Sequence, residues 1–124
     1  MTNKIVTLNM LAGGIAHVVI DTPDSKLNVL SQAFFSEFTA VLTELETRTD
    51  VRGLVISSGK DDNFFAGADV KEIRFLQSQP SKQIYDATMH GRGVFNRIAA
   101  LPYPTVAAIN GTCLGGGLEL SLGC

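Results

Sequence analysis

The sequence predicts an α/β fold, and three features carry that prediction. β-type and helical segments alternate along the chain. Two of the later strand segments, from Leu54 and from Thr105, read as apolar runs of the kind found in covered parallel sheets. Glycine-rich turns stand where strand gives way to helix. A length of 124 residues sets the scale at one domain or less.

The elements follow in order. Ile5 to Leu8 reads as a short strand, and Gly13-Gly14 turns it into the alternating segment Ile15 to Ile20, a hairpin. Asp21-Thr22-Pro23-Asp24-Ser25 is a loop by its turn residues. Ser31 is an N-cap, with Leu30 and Phe35 spaced as a hydrophobic staple. Phe34, Phe38, Val41, Leu42 and Leu45 then share one helical face. Val51 to Ser57 is a strand expected to be buried on both faces from Leu54 onward, and Gly59 to Asn63 is a polar turn. Asp69 begins a short helical segment. Pro80-Ser81 opens a longer helix with Ile84, Thr88, Gly91, Val94, Phe95 and Ile98 on one face, stopped by Pro102 and Pro104. Thr105 to Ile109 is a further buried strand, Asn110-Gly111 turns out of it, and Leu118 to Leu122 starts a last helix. That helix runs out at Cys124 after about two turns, so residues 1–124 read as the truncated N-terminal part of a larger domain.

Composition excludes several function classes. With 45% hydrophobic and 18% charged residues the chain is an ordinary globular sequence. Its net charge is −2, and its ten Lys and Arg residues are scattered from Lys4 to Arg97, so no basic stripe suggests a nucleic-acid partner. No apolar run approaches the ~18 residues of a membrane span, and no signal-peptide core follows Met1-Thr2-Asn3-Lys4. The two cysteines, Cys113 and Cys124, form no CxxC and have no nearby His pair. Zinc and disulfide frameworks are therefore not expected, and a reducing cytoplasm is.

Two segments carry chemistry. In Asn63-Phe64-Phe65-Ala66-Gly67-Ala68-Asp69-Val70-Lys71-Glu72-Ile73, small residues at 66 to 68 let the backbone approach a ligand closely. A plain glycine turn with Asp69 as a helix cap would produce the same pattern. In Asn110-Gly111-Thr112-Cys113-Leu114-Gly115-Gly116-Gly117-Leu118-Glu119, glycines at a helix start leave amide N–H groups unpaired at the positive end of the helix dipole, a site for an anion or a developing oxyanion. Glu119, at i+3 from Gly116, projects near the same end. Tight helix packing and a solvated first-turn acid would equally explain it. Gly53 to Asp61 lacks the spacing and the Ser or Thr of a phosphate loop, and Gly91-Arg92-Gly93 follows no strand. His17 and His90 have no suitably spaced nucleophile and read as structural.

Taken together, Phe-x-Ala-Gly-Ala-Asp and Asn-Gly-x-x-x-Gly-Gly-Gly-x-Glu resemble the signature of the crotonase (enoyl-CoA hydratase/isomerase) superfamily. The resemblance extends over nearly the whole chain, including Lys26-Leu27-Asn28 and Pro102 to Ile109. The Leu-Gly-Gly-Gly-Leu-Glu-Leu string resembles in particular the hydratase part of bacterial multifunctional fatty-acid oxidation α-subunits.

The resemblance implies a spiral of ββα repeats, of which this chain is the N-terminal portion, and hydration of 2-enoyl-CoA to 3-hydroxyacyl-CoA. The backbone amides of Ala68 and Gly116 would hold the thioester oxygen, and Glu119 would be one of two catalytic carboxylates, the other lying beyond Cys124. Lys26, Leu27, Asn28, Ala66, Ala68, Asp69 and Val70 would contact coenzyme A. That coenzyme is part of the substrate, and no metal or tightly bound cofactor is implied. Partners would be an acyl-CoA thioester and either further copies of the chain or a thiolase subunit. Double-bond isomerisation, thioester hydrolysis, or acyl-CoA binding without chemistry are the alternatives. Glu119 favours hydration, because relatives with the other chemistries often lack a glutamate there.

Overall fold

A computed structural model describes residues 4–124; the start of the N-terminus read above, Met1-Thr2-Asn3, lies outside the described residues. The elements run β1 (Val6–Leu11), β2 (Ile15–Ile20), α1 (Gln32–Thr47), β3 (Gly53–Ser58), β4 (Asn63–Phe65), α2 (Val70–Gln77), α3 (Ser81–Ala99), β5 (Thr105–Ala108), β6 (Thr112–Cys113) and α4 (Gly116–Leu122). They fall into successive ββα units: β1-β2-α1, β3-β4-α2-α3 and β5-β6-α4. These successive ββα units are the architecture expected from the sequence.

The first sheet has the order β1-β2-β3-β5, antiparallel at the hairpin and parallel beyond it. The second pairs β4 with β6 in parallel, and a bridge between Leu30 and Ala68 adds a third chain segment to its edge. Each turn of the spiral therefore sends one segment into each sheet. The hairpin closes through Gly13 and Gly14, both at positive φ, and a Cβ on Gly14 would lie 2.8 Å from the Asp50 carbonyl oxygen.

Period-2 and period-3.6 patterns converge on one core. Ala16, Val18 and Ile20 of β2, with Leu54 and Ile56 of β3, face Phe34, Phe38, Leu42 and Leu45 of α1, and all are buried. Ser31 caps α1 as expected, its Oγ accepting the Phe34 N–H at 3.0 Å. Phe34 stacks on Phe38 and meets Phe65 edge-on, with centroids 5.1 and 5.2 Å apart, which carries the core from the first sheet into the second.

Several expectations need correction. β3 is not buried on both faces: Val55 and Ser57 are only half-buried. β5 is less covered still, alternating half-buried and exposed, with Val106 52% exposed. The described helices pack on the opposite face, so the row His17–Val55–Val106 stays open. On α3 only Val94 and Ile98 are buried, and Thr88 is exposed. The two short strands β4 and β6 were not anticipated. The last helix closes at Leu122 rather than running to Cys124, with the Gly123 N–H donating to the Glu119 and Leu120 carbonyls.

Candidate active site

Asn28 organises the approach to the site. It is fully buried, and its Nδ2 donates to the Ile20 carbonyl at 2.9 Å, Ser58 Oγ at 2.9 Å and the Phe64 carbonyl at 3.2 Å. Its Oδ1 accepts the Thr22 N–H at 2.9 Å, and its own N–H donates to Asn63 Oδ1 at 2.8 Å. One amide side chain thus joins the ends of β2 and β3 to β4. Beyond it the chain runs alongside the first motif: Ala66 N–H to the Asn28 carbonyl at 2.8 Å, Leu30 N–H to the Gly67 carbonyl at 2.8 Å, and Asp69 N–H to the Leu30 carbonyl at 3.4 Å.

That ladder decides where Ala68 points. The Gly67 carbonyl and the Asp69 N–H both face Leu30, so the N–H of the intervening Ala68 faces the other way. It donates to no acceptor among the described residues. On that other side comes the second motif. Its Asn110 Nδ2 donates to the Lys60 carbonyl at 2.6 Å, and its Leu114 N–H donates to the Phe65 carbonyl at 3.0 Å. A Cβ on Gly115 would sit 3.7 Å from Gly67 Cα, so the two glycine turns touch. Gly115 itself has φ 51° and ψ −124°, a conformation open essentially to glycine alone. It places Gly116 as the first residue of α4. The Gly117 N–H is bound by the Leu114 carbonyl, whereas the Gly116 N–H, like that of Ala68, has no partner among the described residues.

Glu119 lies in the first turn of α4, exposed, and its carboxylate joins no hydrogen bond or ion pair among the described residues. Asp69 is committed to capping α2, its Oδ1 accepting the Lys71 and Glu72 N–H groups at 2.8 and 3.4 Å. Val70 is exposed beside it. Lys26 and Leu27 line a cleft of about 440 Å³ walled also by Lys60, Asp61, Asp62 and Asn63. None of Ala66, Ala68, Asp69 and Val70 borders that cleft. Asn63 adds a buried Nδ2 with no hydrogen-bond partner there. No group of His, Cys, Asp and Glu suited to a metal ion occurs among the described residues.

The sequence reading missed the roles of three residues: Ser58, outside both motifs, and Asn63 and Glu72, within the first. Ser58 and Asn63 complete the Asn28 network, with Ser58 Oγ donating to the Asn63 carbonyl at 2.5 Å. Glu72 accepts the Gln32 N–H at 2.9 Å. The spacing Asp69-x-x-Glu72 is a capping-box pattern that could have flagged the glutamate, although here it reaches another helix.

A family model described as enoyl-CoA hydratase/isomerase matches residues 11–124. The fatty acid oxidation complex subunit alpha of Aliivibrio fischeri is 49% identical over 111 residues, covering 89% of this chain and 16% of that protein. That of Shewanella halifaxensis is 43% identical over 122 residues, covering 98% of this chain and 17% of its own length. Among solved structures, an enoyl-CoA hydratase from Bacillus anthracis superposes with TM-score 0.84 at 29% identity, over 98% of this chain and 45% of that one. An enoyl-CoA hydratase/carnithine racemase from Magnetospirillum magneticum gives 0.86 at 26%, over 99% and 45%. The chain thus spans about one-sixth of the length of the curated relatives it matches.

Proposed function

The chain belongs to the enoyl-CoA hydratase/isomerase family, and on that premise we propose that the protein adds water to 2-enoyl-CoA thioesters in fatty-acid oxidation. The observation that carries this reading is the pair of backbone N–H groups, Ala68 and Gly116, unpartnered among the described residues, on two touching glycine turns.

As water oxygen bonds to Cβ, a general base takes one water proton. The C=C electrons shift to Cα and the thioester carbonyl, giving an enolate whose charge collects on oxygen. A proton delivered to Cα then completes 3-hydroxyacyl-CoA. Fixed N–H donors stabilise the enolate oxygen without reorganising, and removing one such donor typically costs ~2.7–4 kcal/mol. Glu119, one turn into α4 and without a side-chain partner among the described residues, is the carboxylate proposed to exchange a proton with the water. The second carboxylate is proposed to come from chain that follows Cys124. The coenzyme A portion is proposed to run along Lys26, Leu27, Asn28 and the Ala66 to Val70 backbone. Asn28 would shape this path from beneath, since it is fully buried and both its side chain and its main-chain N–H and carbonyl are paired within the fold.

The names of the relatives support assembly into a fatty acid oxidation complex, with further copies of the chain or a thiolase subunit as partner. A cytoplasmic location belongs to the same proposal, supported by the free thiols of Cys113 and Cys124. The test is crotonyl-CoA hydration by the full-length protein, followed at the thioester-conjugated C=C absorbance. Tight acyl-CoA binding with no hydration would turn the reading to a binding module, and double-bond migration without water uptake would turn it to an isomerase.

A further inference from the structure

The geometry points to Glu72 as a positioning residue that aims the Ala68 amide, an inference that rests on the oxyanion role proposed above. α2 has no buried residue, so apolar packing does little to fix where it sits. Among the described residues, one side-chain hydrogen bond ties it to another element: Glu72 Oε2 accepts the N–H of Gln32 at 2.9 Å, across 40 residues of sequence. Gln32 is the first residue of α1, and its N–H has no acceptor within its own helix. Ser31 Oγ is already occupied by the Phe34 N–H, which leaves the Gln32 N–H for Glu72. The Glu72 carboxylate therefore stands at the positive ends of two helices at once, its own and α1, where a negative charge is favoured.

Ala68 lies between this clamp and the core. On its inner side Leu30 N–H holds the Gly67 carbonyl at 2.8 Å. On its outer side Asp69 N–H reaches the Leu30 carbonyl at only 3.4 Å, a weak rung. The clamp from Glu72 to Gln32 closes the same ladder two residues past Leu30 and three past Asp69, and so backs up that rung. If it opens, α2 and residues 68–69 gain freedom relative to α1, and the direction of the Ala68 N–H loosens. The Gly116 amide, carried by α4, is unaffected.

The expected signature is on the chemical step. In the full-length protein, Glu72→Ala lowers kcat for crotonyl-CoA hydration about three- to tenfold, the scale of one net hydrogen bond, with KM within about twofold. Glu72→Gln, which keeps an acceptor oxygen, recovers most of the loss. Because Glu72 is exposed, neither variant should unfold the protein. Amide hydrogen exchange of both variants supplies a second readout. Leu30 and Asp69 should exchange faster in Glu72→Ala than in wild type and near wild type in Glu72→Gln, while the amides of α4 keep their rates. Unchanged exchange at Leu30 and Asp69 in Glu72→Ala overturns the inference, as does an unchanged kcat in an active enzyme. Faster exchange in a protein whose wild type hydrates no enoyl-CoA would leave the clamp standing and sink the proposed reaction instead.

Discussion

Glu119 and Gly116 make the proposed chemistry testable one residue at a time. Glu119→Gln in the full-length protein should reduce kcat by ~10²–10⁴-fold with little change in acyl-CoA affinity, since it removes a proton-transfer group and no packing. A kcat within a few-fold of wild type would leave Glu119 as an ordinary first-turn acid. At Gly116 an added Cβ would run into Leu30 Cδ1 before it could crowd the thioester oxygen. Gly116→Ala should therefore act by pushing Leu30, and with it the neighbouring Ala68 strand, lowering kcat while the fold survives. A Cβ on Gly117 meets Phe65 Cβ and its carbonyl oxygen, which cannot swing aside. Gly117→Ala should accordingly cost about 1–3 kcal/mol of stability, read as a lowered denaturation midpoint, and lose activity through the fold. The glycine run, Glu119 and Asp69 were legible because each combines a rare residue pattern with a helix start. Asn28 was not: in a Lys-Leu-Asn loop it reads as a surface contact, and only the convergence of three strand ends shows its side chain to be internal.

At the scale of elements, the long segments with a clear period were readable and the short ones were not. The hairpin, α1 with its Ser31 cap, and α3 after Pro80 agree with the sequence because each repeats its pattern over at least two turns or a full strand pair. β4 has three residues and β6 two, too few for period-2 alternation to show. The covering of β3 and β5 was overestimated because an apolar run does not say whether both faces have a neighbour. What joins α1 to α3 was equally invisible: Arg97 pairs with Glu46 and donates to Thr43 Oγ1 at 3.1 Å, across more than fifty residues. The Arg97 hydrogen bond holds the Glu46 carboxyl below its usual 4.5. A carboxylate whose folded value is depressed adds stability that is present above the ordinary value and is lost as pH falls through the lowered one. Glu46→Gln should thus lower stability at neutral pH by only about 0.2–1 kcal/mol, as for other solvent-exposed pairs. The difference from wild type should shrink below pH 4.5 and in high salt. Denaturant midpoints at neutral and acid pH measure both, and a difference that grows on acidification would contradict the assignment.

For the whole molecule, the relevant balance is between a well-made core and a surface that remains apolar around the site. The core is continuous from β1 through Phe34 and Phe65 to Leu120. Outside it, Phe75 of α2 is 68% exposed, and Leu118 and Leu122 of α4 are 46% and 77% exposed. Leu120, between them in sequence, is buried and anchors α4 against the core. Exposed apolar side chains one turn apart on a helix, as Leu118 and Leu122 are, favour association. The 124-residue chain on its own should therefore run larger than a monomer in size-exclusion chromatography with light scattering, increasingly so with concentration. It should also hydrate crotonyl-CoA far below an enzyme-like rate. It carries Ala68, Gly116 and Glu119, but by the proposed mechanism only one of two proton-transfer groups, a deficit worth ~10²–10⁴-fold. The two outcomes are independent. Substituting Leu118 and Leu122 together by serine should restore a monomer without creating activity, because neither residue is assigned a part in proton transfer or in holding the oxyanion. A wild-type chain that stays monomeric at every concentration would show that the leucines of α4 do not drive association. Enzyme-like turnover by that same chain would show that Glu119 and the two amides suffice without a second carboxylate.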